Sequence, residues 1–149
     1  YLGYNYRMSE LHAALGVAQL KKLNLFLESR RKIASLYQEC LKNVPFIKFL
    51  CPDEKDKKRS WFVYVIRLDK KIDRKRLIKK LEEKGIPTRA YLPPIYLQPF
   101  YQKQFGFKKG DFPVCEQVSG QTLALPFYTG MEKEKVKFIC KNLVKILKQ

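Results

Sequence analysis

Residues 60–68 (SWFVYVIRL) constrain this chain more than any other stretch, because they are almost uninterrupted in β-branched and aromatic residues. Such a run fits a pleated strand, and near-continuous apolarity requires burial on both faces. Few other strand candidates occur in the 149 residues, so helices must supply most of the cover. The expectation is that the chain's own helices bury one face of this strand and that something outside the chain meets the other.

The flanking segments read as those helices and as short partner strands. Asp73 is placed to cap a helix in which Leu77, Ile78 and Leu81 form the buried edge, with Ile72 stapling onto Leu77 and Gly85 ending it. Residues 86–92 follow as a second strand, confined by Pro87 to a strand start or an edge, and this strand, helix, strand order reads as an α/β unit. Residues 46–50 and 122–126 are further short strands. Asn24 can cap a helix carrying Phe26, Ile33, Ala34, Tyr37 and Leu41 as its apolar stripe to about Asn43, ahead of Pro45. Pro113 suits the first turn of a helix to about Gly120, and residues 131–148 close the chain amphipathically through Val136, Ile139, Cys140, Leu143 and Ile146.

Composition bears mainly on what the chain meets. Its 31 Lys and Arg against 14 Asp and Glu give a formal net charge of +17. A nucleic-acid footprint would gather those charges with Arg, Asn and Gln on one element; here Lys dominates and is spread, which favours a solvated basic surface suited to anionic substrates or an acidic partner domain. Cys40, Cys51, Cys115 and Cys140 lack C-x-x-C spacing and His12 is the sole histidine, so no metal site is expected. No apolar run reaches the roughly 18 residues of a membrane span, and no leader pattern occurs. The expected setting is the cytoplasm, with reduced cysteines. Because the chain opens on Tyr1 inside a patterned segment, an N-terminal part is expected to precede it.

Two stretches carry chemistry. Residues 2–23 change character halfway: a polar aromatic loop with Tyr4, Asn5, Tyr6 and Arg7 leads into a helix capped by Ser9 and kept thin by Ala13, Ala14, Gly16 and Ala18. Hydrogen-bonding side chains just ahead of a helix N-terminus suit an anion, and a thin helix suits close backbone packing. Residues 92–101 (LPPIYLQPFY) read as a stiff, non-helical segment that displays Tyr96, Gln98 and Tyr101, either as a functional loop or as a structural connector.

In collinear order these signals resemble the DegT/DnrJ/EryC1/StrS family of PLP-dependent sugar aminotransferases, in its C-terminal part. The family's G-x-N-x-R, M-x-E and AA-G-x-x-QL elements stand as Gly3, Asn5, Arg7, Met8, Glu10, Ala13, Ala14, Gly16, Gln19 and Leu20. Arg30 and Tyr37 fit its R-x-x-I-A-x-x-Y helix, residues 85–89 its G-I-x-T-R entry, residues 93–101 its proline-rich loop, and Leu125 with Pro126 its L-P before the last helix.

The resemblance implies an α/β fold. This would be the C-terminal small domain of fold type I PLP-dependent transferases, a small and mostly antiparallel sheet packed against helices, with a long N-terminal linking helix. Residues 1–24 would be an interface loop and helix continuing from a PLP domain, and residues 25–149 the small domain. It implies a homodimer with shared active sites, transferring an amino group, usually from glutamate, to a nucleotide-linked keto sugar. The cofactor would be pyridoxal 5'-phosphate, held mainly by an N-terminal domain that also carries the Schiff-base lysine, so this chain alone is expected to be inactive. By the same resemblance Asn5 binds the PLP phosphate of the neighbouring subunit, Arg7 lies close by, at the interface or near substrate phosphates, and Tyr96 stands where many members carry a histidine that approaches the sugar nucleotide. The alternatives are a PLP-dependent sugar dehydratase, a noncatalytic family member, or a basic nucleic-acid-binding module.

Overall fold

The computed structural model describes residues 3–4, 6–51, 56 and 58–149. It begins with α1 (Glu10–Leu20), in which no residue is buried, and α2 (Leu23–Leu41), separated by a turn at Lys21 and Lys22. Ser9 caps α1 as the sequence predicts, its Oγ accepting from the His12 amide at 3.4 Å. Asn24 does not cap α2: the helix starts two residues earlier than that cap would place it, after Lys22, because the chain has no extended residue between the two helices in which a side-chain cap could form.

Four strands follow, β1 (Ile47–Lys48), β2 (Tyr64–Leu68), β3 (Arg89–Ala90) and β4 (Thr122–Leu125), in the spatial order β1-β2-β4-β3 with every neighbouring pair antiparallel. The small, mostly antiparallel sheet is thus as expected. The α/β unit is split: α3 (Arg74–Glu82) does connect β2 to β3, but β4 lies between them. Asp73 caps α3 through the Arg76 amide at 3.1 Å. At its other end Gly85 takes φ +71°, which lets the Gly85 amide reach the Glu82 carbonyl (2.8 Å) and the Ile86 amide the Leu81 carbonyl (3.0 Å).

Register sorts the two faces of the sheet. Tyr64 opposite Leu125, Ile66 opposite Leu123, and Ile47 opposite Leu68 point to one side, where they form the core with α2, α3 and α6 (Lys133–Leu147). Ile33, Ala34, Tyr37 and Leu41 of α2 and Val136, Ile139, Cys140 and Leu143 of α6 are all buried there. At its centre the Tyr37 and Tyr64 rings stack at 4.7 Å, and the Tyr37 hydroxyl donates to the Pro126 carbonyl at 2.8 Å.

The strand predicted for residues 60–68 is shorter than its composition suggests. Trp61 has φ +53°, a left-handed backbone that a bulky side chain rarely adopts, and the turn it makes breaks the ladder, so pairing begins only at Tyr64. The buried indole stacks on Tyr64 at 5.7 Å and carries the Arg59 guanidinium over its outer side at 4.7 Å. The strands expected over residues 46–50 and 86–92 likewise shrink to two paired residues each, and Pro87 precedes an edge strand.

The second sheet face, bearing Val65, Arg67, Thr122 and Ala124, is expected from the sequence to meet something outside the chain, but the chain itself covers part of it. α5 (Pro113–Gln121) lies there: Arg67 Nε donates to Gln121 Oε1 at 2.7 Å, and Arg74 Nη1 donates to the Ser119 and Thr122 carbonyls at 2.5 and 2.9 Å. Beside α5 an apolar groove of about 540 Å³ stays open, walled by Trp61, Phe62, Val65, Tyr91, Cys115 and Val118.

Residues 92–101 are not the wholly non-helical segment expected. Ile95–Leu97 form a turn of 3-10 helix, and Pro99 opens α4 (Pro99–Phe105) at the position where a missing N–H leaves no bond unmade. Among the described residues no helix is long and apolar enough to cross a membrane, and no group of three metal-ligating side chains occurs.

Candidate functional site

Two segments hold the residues singled out in the sequence. The first is the loop ahead of α1. Tyr4 and Tyr6 are exposed and face each other with ring centroids 5.5 Å apart, the Tyr6 amide donating to the Tyr4 carbonyl at 3.1 Å. Arg7 is exposed and makes no hydrogen bond or ion pair among the described residues. Asn5 lies outside the described residues. With Ser9 occupied as the cap, this stretch presents a free guanidinium beside a helix N-terminus, an arrangement that suits a phosphate or carboxylate.

The second is the proline-rich segment and the elements that hold it. Tyr96 is half-buried, its ring met edge-on by Phe112 at 4.7 Å and by Phe107 at 5.9 Å. Its hydroxyl donates to Glu116 Oε1, which also accepts from the Gly110 amide at 2.6 Å. Burial first, then the bond to Glu116 and its negative charge, push the Tyr96 phenol up to about 12. The bond from Tyr96, followed by the one from Gly110, holds the Glu116 carboxyl below its ordinary value of 4.5. A phenol whose proton is committed to a carboxylate keeps only its acceptor lone pairs for any third group.

Arg7 and Tyr96 share no hydrogen bond or ring contact. Each segment is at least partly open to solvent. What the described residues fit is the anionic end of a cofactor or substrate. Sequence reasoning passed over Glu116, whose only signal is an acidic residue in the first turn of α5. It also passed over Trp61, since nothing in a strand-forming composition announces a left-handed backbone.

Residues 1–144 match the family model of the DegT/DnrJ/EryC1/StrS aminotransferase family. An uncharacterized protein of Methanocaldococcus jannaschii is 36% identical over 99% of this chain and 39% of its own length. The spore coat polysaccharide biosynthesis protein SpsC of Bacillus subtilis is 35% identical over 98% of this chain and 38% of its own. Among solved structures, Helicobacter pylori PseC, an aminotransferase involved in the biosynthesis of pseudoaminic acid, superposes with a TM-score of 0.86 at 27% identity, over 99% of this chain and 40% of that one. The chain therefore spans about two fifths of the length of the curated relatives it matches.

Proposed function

The chain belongs to the DegT/DnrJ/EryC1/StrS aminotransferase family, and on that premise we propose that it is the C-terminal part of an enzyme that moves an amino group, drawn from glutamate, onto a nucleotide-linked keto sugar. The match over residues 1–144 carries this reading. Pyridoxal 5'-phosphate, when bound, supplies the electron sink for the exchange. The residues in hand do the holding: Asn5 donates its amide to the cofactor phosphate of a partner subunit, and the Arg7 guanidinium takes a substrate phosphate.

In this reading α1 packs in a homodimer contact. Its exposed Leu11, Leu15 and Leu20 and its small Ala13, Ala14 and Gly16 suit that role. Residues 92–101 then close the sugar side of the site and exclude water, with Tyr96 in that wall. The 149-residue chain by itself catalyses nothing.

The test is the protein expressed from its complete reading frame. It should purify with the absorbance of bound pyridoxal phosphate and aminate a nucleotide keto sugar in a glutamate-dependent way. Absence of both sinks the proposal.

A further inference from the structure

α5 and the residue that follows it grip the proline-rich segment along one line. Glu116, Ser119 and Thr122, spaced three apart, take the Tyr96 hydroxyl, the Leu92 carbonyl and the Tyr91 carbonyl respectively, Ser119 and Thr122 acting as donors through their hydroxyls. Thr122 and Ser119 fix the stem, where the chain leaves β3. Glu116 reaches the far end, beside the Phe107 and Phe112 rings, and the same oxygen gathers in the Gly110 amide from the turn after α4. The aromatic cluster of Phe105, Phe107 and Phe112 closes around Tyr96 between these two anchors.

Apart from Glu116, the far end of the segment has the 3-10 bonds from Leu97 to Pro94 (3.2 Å) and from Gln98 to Ile95 (2.9 Å), which are local, and the contacts of the Tyr96 ring with Phe107 and Phe112, which are not side-chain hydrogen bonds and fix its position less sharply. We propose that Glu116 is the positioning residue of the sugar-side wall, setting where residues 92–97 stand by holding the Tyr96 hydroxyl and the Gly110 amide on one carboxylate oxygen. Tyr96 is then a strut whose proton is already given away, not a donor to a substrate phosphate. The structural part of this inference stands on the geometry alone; its consequence for substrate rests on the aminotransferase reading.

The experiment uses the whole holoenzyme with Glu116→Ala, Glu116→Gln and Tyr96→Phe. Lys108 and Lys109 are exposed in the turn whose Gly110 amide Glu116 holds together with Tyr96, so trypsin reads release of that carboxylate's grip. Glu116→Ala should be cut there about tenfold faster, whereas Glu116→Gln, which keeps an acceptor oxygen for both donors, should stay within about twofold of wild type. In turnover, Glu116→Ala and Tyr96→Phe should each raise KM for the nucleotide sugar about tenfold with kcat and glutamate KM unchanged, and the double variant should be no worse than either single.

Equal trypsin sensitivity of Glu116→Ala and wild type overturns the lock whatever the activity shows. A freed segment with unchanged sugar KM overturns the positioning role and leaves the enzyme reading intact. No amination by wild type overturns the enzyme reading and the substrate consequence together, and proteolysis still decides the lock.

Discussion

Tyr37 and Tyr64 offer one substitution with opposite expected signs. Both rings are buried in the same stack, 4.7 Å apart and nearly parallel, and Phe preserves that stack in either place. Burial raises the pKa of both phenols, so each is neutral across the physiological range. They differ in where the hydroxyl goes. Tyr37 donates to the Pro126 carbonyl at 2.8 Å, while the Tyr64 hydroxyl is buried with no hydrogen-bond partner among the described residues. Tyr37→Phe strands a partly buried carbonyl and should cost about 1 kcal/mol. Tyr64→Phe removes a desolvated group that gains nothing, and should stabilise by about 1 kcal/mol. A cooperative unit of this length loses about 3 °C of Tm per kcal/mol, so the two variants should melt about 6 °C apart on either side of wild type. Urea denaturation followed by far-ultraviolet circular dichroism, with m unchanged, is the second measurement. If Tyr64→Phe lowers the midpoint as far as Tyr37→Phe, the Tyr64 hydroxyl has a partner and the argument is wrong.

Gly85→Ala places a Cβ on a backbone at φ +71° and should cost about 1 kcal/mol, read as a lower midpoint, although nothing crowds the added carbon. Asn5→Ala in the complete protein should loosen retention of pyridoxal phosphate at least about tenfold, the worth of a hydrogen bond to a charged group, and unchanged affinity would count against its assignment. Leu15→Glu on exposed α1 should leave the fold intact and shift a dimer toward monomer in sedimentation velocity; an unshifted dimer would remove α1 from the contact. Glu116 has a folded pKa below its ordinary 4.5, so its contribution is complete above that value and lost as pH falls through the lower one. Hydrogen exchange at the Gly110 amide, corrected for intrinsic rate, should therefore stay protected through neutral pH and open only in acid.

What could be read from the sequence follows the range of the forces concerned. Ser9 and Asp73 as caps and Gly85 as a terminator act within a few residues, and each appears where local chemistry put it. The buried stripes of α2 and α6 follow from helical period in the same way. Strand lengths did not, because pairing is decided by partners elsewhere: residues 86–92 look extended throughout, yet the Leu123 and Ala124 positions of β4 accept only Arg89 and Ala90. The insertion of β4 between β2 and β3 is likewise a tertiary event that no local pattern encodes.

The candidate site divides along the same line. Tyr96 is conspicuous because three prolines frame it, but its hydrogen bonding is set by a carboxylate twenty residues away, which no local pattern announces. A lone tyrosine on a stiff exposed loop reads as a donor held out to a ligand. Tied to Glu116 and ringed by Phe107 and Phe112, it is an acceptor at most, and a support for the backbone around it. In the aminotransferase reading proposed above, this wall presents the solvent-exposed Leu92 and Ile95 side chains, which can offer no hydrogen bond, and the exposed Gln98 amide, which can. The apolar part of such a wall, held rigid, would discriminate by shape and by the cost of burying an unpaired hydroxyl.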